Sequence, residues 1–165
     1  MRRLINPPVP EPPAMRLTLA AVGRWKRGPL PELFEDYRKR LAWPLTLKEV
    51  SARKPLQGAQ LIQHEADLLE GALPEQATRV ALDAGGKALS SEAFADRLGG
   101  WEDDGVGEVA FIVGGSDGLD PSLLDRADLK LSLGPMTWPH MLVRVLLAEQ
   151  LYRAQAIRQG HPYHK

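Results

Sequence analysis

The chain has 165 residues, 44% of them apolar and 25% charged, with a formal net charge of zero, a length that suits one domain with one substantial core. It has no cysteine, which excludes disulfides, thiolate catalysis and cysteine-bound zinc or iron–sulfur centres. No apolar run reaches the roughly 18–20 residues of a membrane span, and no apolar leader segment follows Arg2 and Arg3, so the expectation is a cytoplasmic protein with no membrane partner.

Neutrality hides an asymmetry. Residues 15–54 hold ten Lys/Arg against four Asp/Glu, residues 55–128 four against fifteen, and residues 129–165 five against one. Basic ends around an acidic middle point to one basic face suited to an anionic partner, nucleic acid among them; an unevenly charged solvated surface is the plain alternative.

Residues 1–14, MRRLINPPVPEPPA, hold five prolines and no periodic apolar pattern. Proline removes backbone donors and disfavours regular structure, so a disordered extension is expected there. Met15 opens the first ordered element and is a candidate biological start. One domain over residues 15–165 is expected. Arg16–Val22 reads as a strand closed by Gly23, and Pro31–Leu41 as a helix with Leu33, Phe34, Tyr37 and Leu41 on one face. Leu45–Val50 alternates as a strand, Gln57–Leu73 carries a helical stripe, and Arg79–Asp83 is a short buried strand. Ser90 or Ser91 caps a third helix running towards Trp101, with Glu92 in its first turn. Glu108–Val113 is the most apolar strand, Pro121–Ala127 at most a short helix, and Leu129–Leu133 a fifth strand. His140–Gln159 is a long final helix, stopped by Gly160.

Such alternation predicts an α/β fold, a mostly parallel sheet flanked by helices. Ligands on such sheets bind beyond the carboxyl ends of the strands, which points to the loops after Asp83, Val113 and Leu133. The final helix is apolar nearly all the way round, from Met141 to Tyr152. One side packs on the sheet. A twofold interface is the simplest cover for the other and predicts a homodimer, with burial under other helices as the alternative.

Gly114-Gly115-Ser116-Asp117-Gly118 follows the buried strand directly. It matches neither the dinucleotide fingerprint nor a P-loop, and reads either as a tight turn or as close backbone approach to a ligand. The stretch LSLGPMTWP over 131–139 offers mainly backbone groups and apolar contacts, which suits an adenine ring or a plain loop. His161 and His164 have H-x-x-H spacing, but a third and fourth ligand are missing, so no metal is expected. A fraying tail is the usual reading of such a terminus; two imidazoles and a phenol within His161-Pro162-Tyr163-His164-Lys165 argue for chemistry instead. Arg153 sits four residues after Glu149, a favourable helical pair, and its guanidinium also suits a phosphate or a base.

Taken together, these motifs resemble the ribosomal RNA large subunit methyltransferase H family of the SPOUT superfamily. The resemblance rests on Ala21-Val22-Gly23, Leu82-Asp83, Ile112-Val113-Gly114-Gly115 with Gly118-Leu119, and Leu131-Ser132-Leu133. It continues through Met136-Thr137, Pro139-His140, Leu142-Val143-Arg144, Glu149–Ala154 and Pro162-Tyr163-His164-Lys165. It covers Met15–Lys165. It implies a SPOUT-type fold with a deep C-terminal trefoil knot and an S-adenosyl-L-methionine-dependent enzyme. The implied reaction methylates N3 of a pseudouridine in the intersubunit-bridge stem-loop of 23S rRNA, on the assembled ribosome and as a homodimer. Leu82, Gly114, Gly115, Gly134, Pro135, Met136, Thr137, Trp138 and Pro139 are implied in cofactor binding. Arg153, His161, Tyr163 and His164 are implied near the target base, with one subunit's tail completing the other's pocket. The chain departs from the family pattern at Gly134-Pro135, Ser116-Asp117 and Trp138, and none of these departures removes an expected functional group.

Overall fold

The computed structural model describes residues 14–165. The expected proline-rich extension lies, but for Ala14, outside the described residues. Ten elements alternate strictly: β1 (Arg16–Val22), α1 (Pro29–Arg40), β2 (Leu45–Val50), α2 (Gly58–Ala72), β3 (Thr78–Lys87), α3 (Ser91–Asp103), β4 (Glu108–Val113), α4 (Pro121–Asp125), β5 (Leu129–Leu131) and α5 (His140–Gln159). The strands form one five-stranded sheet in the order β2-β1-β4-β3-β5, and every pairing is parallel. This is the expected α/β architecture.

The pleat sorts side chains between two cores. Leu17, Leu19 and Ala21 of β1 point to a layer built by α1, α3 and α5, where Phe34, Phe94, Leu98, Leu147 and Leu151 are buried. Ala20 and Val22 point the other way, onto Ala66 and Leu69 of α2 and Leu123 of α4. Both faces of β1 and β4 are thus dry, which is why these strands read as unbroken apolar runs rather than alternating ones.

Several element ends differ from the sequence reading, three of them for a visible reason. Helix α1 starts at Pro29, whose fixed φ suits a first helical position. Strand β3 continues to Lys87 through a register shift against Leu131. Strand β5 stops at Leu131, because the Ser132 hydroxyl accepts the Gly134 N–H and folds the chain out of the ladder. The largest difference concerns α5. Its second apolar side is covered in good part within the chain, because α5 packs between α1 and α3. Leu142, Val143 and Leu146 stay only half-buried.

Arg144 on α5 ties the carboxyl ends of β1 and β2 to the helix. It is fully buried. It donates to Glu49 Oε2 at 2.8 Å and to the Val22 and Gly23 carbonyls at 3.0 and 2.7 Å, and its guanidinium lies 4.7 Å over the Trp25 ring. A buried charge is tolerated when it is paired and hydrogen-bonded in this way.

Candidate active site

The irregular second half of β3 and the loops after β4 and β5 converge on a cavity of about 260 Å³. Its walls include Leu82, Asp83, Gly114, Gly115, Leu133, Gly134, Met136, Thr137 and Trp138, with His140 and Val143 from the first turns of α5. Seven of the nine cofactor candidates line it. Pro135 and Pro139 do not: Pro135 is exposed, and Pro139 precedes α5, accepting the Leu142 and Val143 N–H groups on its carbonyl. Sequence reasoning missed Asp83, His140 and Val143. The carboxyl-end rule pointed to Asp83 as a strand end, whereas β3 runs past it through a register shift to Lys87; nothing local marks the α5 side chains as wall.

Glycine makes the middle of this wall. A Cβ on Gly114 would lie 2.7 Å from the Gly118 carbonyl oxygen, so the β4 loop can fold this tightly only without one. Behind Gly115 stands Glu65 of α2, buried at 8% exposure. Its oxygens lie 3.3 Å from where a Gly115 Cβ would be. Burial, then the charge of Asp117, push the Glu65 carboxyl above the usual range, against an opposing pull from His64.

The tail forms a second centre. After Gly160 (φ 66°) the chain doubles back along α5. Arg153 donates to Glu149 at 2.6 and 3.0 Å and to His164 Nδ1 at 3.1 Å. The guanidinium also lies 4.9 Å over the Tyr163 ring. Tyr163 donates its phenol to Glu149 at 3.1 Å and meets the Tyr37 hydroxyl at 3.3 Å. Its N–H reaches His161 Nδ1 at 3.2 Å. His164 Nε2 lies 2.7 Å from Glu92. All four candidates near the target base are therefore together. Glu149, expected as the helical partner of Arg153, completes the set with Glu92 and Tyr37, which were not anticipated in it.

The chemistry of these groups follows from their partners. Burial, Tyr37 and Glu149 push the Tyr163 phenol well above its ordinary value, so it keeps its proton and donates. Arg153 has donors only, so His164 Nδ1 must accept from it. The neutral ring then carries its proton on Nε2, facing Glu92, and that hydrogen bond holds Glu92 below the ordinary carboxylate range. Among the described residues no cluster of three or more His, Asp or Glu is arranged to hold a metal ion.

The two centres do not touch. Arg153 lies ten residues beyond Val143, about 15 Å along the helix axis.

A family model described as Predicted SPOUT methyltransferase matches residues 15–164. The ribosomal RNA large subunit methyltransferase H of Rhodospirillum centenum is 61% identical over 151 residues, spanning 92% of this chain and 99% of that one. The chain belongs to this family. Its Paramagnetospirillum magneticum relative of the same name is 55% identical over the same shares of both chains. Solved structures agree on the fold alone. A probable methylase family protein from Haemophilus influenzae matches with TM-score 0.55 and 11% identity, over 92% of this chain and 71% of that one. A probable methyltransferase from Bordetella pertussis matches at 0.52 and 20%, over 85% and 96%. Among the described residues, no helix is long and apolar enough to cross a membrane.

Proposed function

We propose that this protein is an S-adenosyl-L-methionine-dependent methyltransferase acting on N3 of a pseudouridine in the intersubunit-bridge stem-loop of 23S rRNA, in the cytoplasm and on the assembled ribosome. The observation that carries this reading is the convergence of β3 and the loops after β4 and β5 on one cavity, in a chain closely similar to large-subunit rRNA methyltransferases.

The cavity fits the cofactor in kind. Gly114 lets the β4 loop fold tightly on Gly118, so that this wall is backbone and not side chain. Leu82, Leu133, Met136 and Trp138 offer apolar surface for a flat ring, and the backbone around Gly115, Gly134 and Thr137 offers hydrogen-bonding groups. When bound, S-adenosyl-L-methionine supplies an electrophilic methyl group. The chain's own residues position the acceptor and deal with its N3 proton. His161 and His164 are the candidates to take that proton, and each does so only by giving up the bond its Nδ1 now accepts, from the Tyr163 N–H and from Arg153 respectively. Tyr163 serves as a donor, and Arg153 stabilises negative charge developing on the base.

The remaining elements of this reading have support of their own. Near its end β3 lies so close to β5 that a Cβ on Gly86 would be 2.6 Å from the Lys130 backbone, and Ser132 N–H reaches the Lys87 carbonyl at 2.9 Å. The trefoil knot in this reading rests on membership of the SPOUT family. Half-buried Leu142, Val143 and Leu146, beside exposed Met136 and Trp138, form an apolar surface suited to a twofold partner. A homodimer gives each tail a route to its partner's pocket. Arg24, Lys26, Arg27, Arg53 and Lys54 stand exposed in the loops after β1 and β2, on the cavity's edge of the sheet. They can meet RNA phosphates.

Incubating ribosomes that lack the mark with the protein and labelled S-adenosyl-L-methionine, then mapping the RNA by mass, tests the reading. Label on N3 of the bridge pseudouridine is expected. Label on another base overturns the substrate assignment, and absence of cofactor binding in calorimetry overturns the enzyme.

A further inference from the structure

A methyl acceptor must come within contact distance of the cofactor, because in-line transfer needs reacting atoms about 3–3.5 Å apart. Its pocket must therefore lie next to the first cavity. A second cavity, of about 330 Å³, adjoins it across Leu131, Leu133, Gly134 and Trp138, which line both. The Trp138 indole N–H donates to the Leu133 carbonyl at 3.3 Å, which holds the ring on this shared wall.

The second cavity is mostly apolar but has one fixed polar pair, Ser91 in the first turn of α3 and Gln150 on α5. Neither lines the first cavity. Gln150 Nε2 donates to Glu149 Oε2 at 2.9 Å, and the Ser91 hydroxyl donates to Gln150 Oε1 at 2.8 Å. A carboxylate can only accept, so the amide orientation follows from the network. The pair then keeps one free N–H on Gln150 beside free lone pairs on Ser91. Glu149 is itself clamped by Arg153, so the donor–acceptor pair is pre-set.

We propose that this second cavity seats the acceptor base and that Ser91 and Gln150 read the edge that separates pseudouridine from uridine. The inference rests on the methyltransferase reading above. In a uracil ring the C2 carbonyl lies between N1 and N3. In uridine N1 is bonded to ribose. In pseudouridine the ribose is on carbon, and N1 carries a hydrogen. Gln150 N–H donates to the C2 carbonyl, Ser91 accepts from N1–H, and N3 on the other flank stays free for methylation. Uridine leaves the Ser91 acceptor without its partner, and a site built around a hydrogen bond rejects the analogue that lacks it.

Ribosomes reconstituted with either pseudouridine or uridine at the target position test this, with kcat/KM measured on both for the wild type, Ser91→Ala and Gln150→Met. Ser90 rather than Ser91 caps α3, so the Ser91 variant keeps its cap. The wild type is expected to favour pseudouridine by about tenfold or more, the scale of one unsatisfied polar group. Ser91→Ala should bring the ratio near one by slowing pseudouridine methylation. Gln150→Met should slow both substrates, since both carry the C2 carbonyl. Cofactor affinity should stay within twofold in both variants. An unchanged ratio in Ser91→Ala, or a tenfold loss of cofactor affinity in either variant, overturns the assignment while the methyltransferase reading stands. A wild type that leaves pseudouridine N3 unmethylated sinks that reading and this inference with it. The wild type alone supplies a second measurement: a target N1-methylpseudouridine should react no better than uridine, and reaction as fast as pseudouridine overturns the proposal.

Discussion

The cavity and the tail cluster are built on opposite principles. In the cavity the backbone does most of the shaping: the irregular stretch of β3, two loops from strand ends, Gly114 folded against Gly118, and apolar side chains as lining. In the tail nearly every contact is between side chains, Arg153 with Glu149 and His164, Tyr163 with Glu149 and Tyr37, His164 with Glu92. A backbone-built site is broken by adding atoms, whereas a side-chain site is broken by removing them. The difference also divides the labour, since a neutral, shaped slot suits a cofactor and a charged, hydrogen-bonded cluster suits proton handling at a base.

The harshest test of this contrast removes the tail. Deleting Tyr163–Lys165 should lower methylation about 10³-fold or more, within the range of losing acid–base assistance together with fixed positioning, and should leave cofactor affinity within a few fold. Methylation of ribosomes beside calorimetry with S-adenosyl-L-methionine separates the two. Full activity in the folded truncated protein would remove the tail from catalysis. Mixing this truncation with a full-length chain disabled for cofactor binding should restore activity if each tail serves its partner's pocket.

Arg144 marks where the contrast weakens, because here a side chain holds the backbone of the site. Replacing it by Met leaves Glu49 without its guanidinium partner and two carbonyls without a donor. The expected loss is about 3 kcal/mol of folding stability, typical of breaking a largely buried pair, read from denaturant unfolding. A loss near zero would mean that the β1 and β2 loops hold themselves.

How far the sequence spoke follows the same divide. The strand–helix alternation is local periodicity, so nearly every element stands where the pattern put it. The carboxyl-end rule then found the cavity, because loop position follows from strand order and needs no side-chain detail. The tail was conspicuous for its composition, but its partners were not legible. Ser91 and Gln150 are 59 positions apart, and Arg144 and Glu49 are 95 apart. Such pairs exist only once α3 and α5 have packed side by side and α5 has docked on the sheet. The apolar girth of α5 was legible, yet its cover was not: periodicity reports that a face is dry and never what dries it.

Adding one methyl group probes the backbone-built half. Gly114→Ala puts a carbon where the Gly118 carbonyl sits. Forcing bulk into a packed site costs about 1–3 kcal/mol, so cofactor affinity should fall by roughly tenfold to a hundredfold, with the tail's contacts unchanged. Calorimetry checks the first point, and the fluorescence of Tyr163 and its neighbours the second. Unchanged affinity would mean that the β4 loop can relax and is not a fixed wall.

The smallest effect, and the most specific, concerns Glu65 behind that loop. Its carboxyl is pushed above the ordinary value of 4.5 by burial first and by Asp117 second. The folded protein therefore holds this proton more tightly than the unfolded chain does. The stability contributed by the protonated form is complete below pH 4.5 and is lost as pH rises through the folded value. A glutamine amide at this position mimics the protonated carboxyl at every pH. The substitution Glu65→Gln should thus be nearly neutral near pH 4 and increasingly stabilising as pH rises from the ordinary value of 4.5 through the folded one, levelling off above it. Unfolding midpoints measured from pH 4 to pH 8 decide the sign. If the variant loses stability relative to the wild type as pH rises, the ionised carboxylate is supporting the Gly115 loop rather than straining it, and the wall holds by a charge as well as by its backbone.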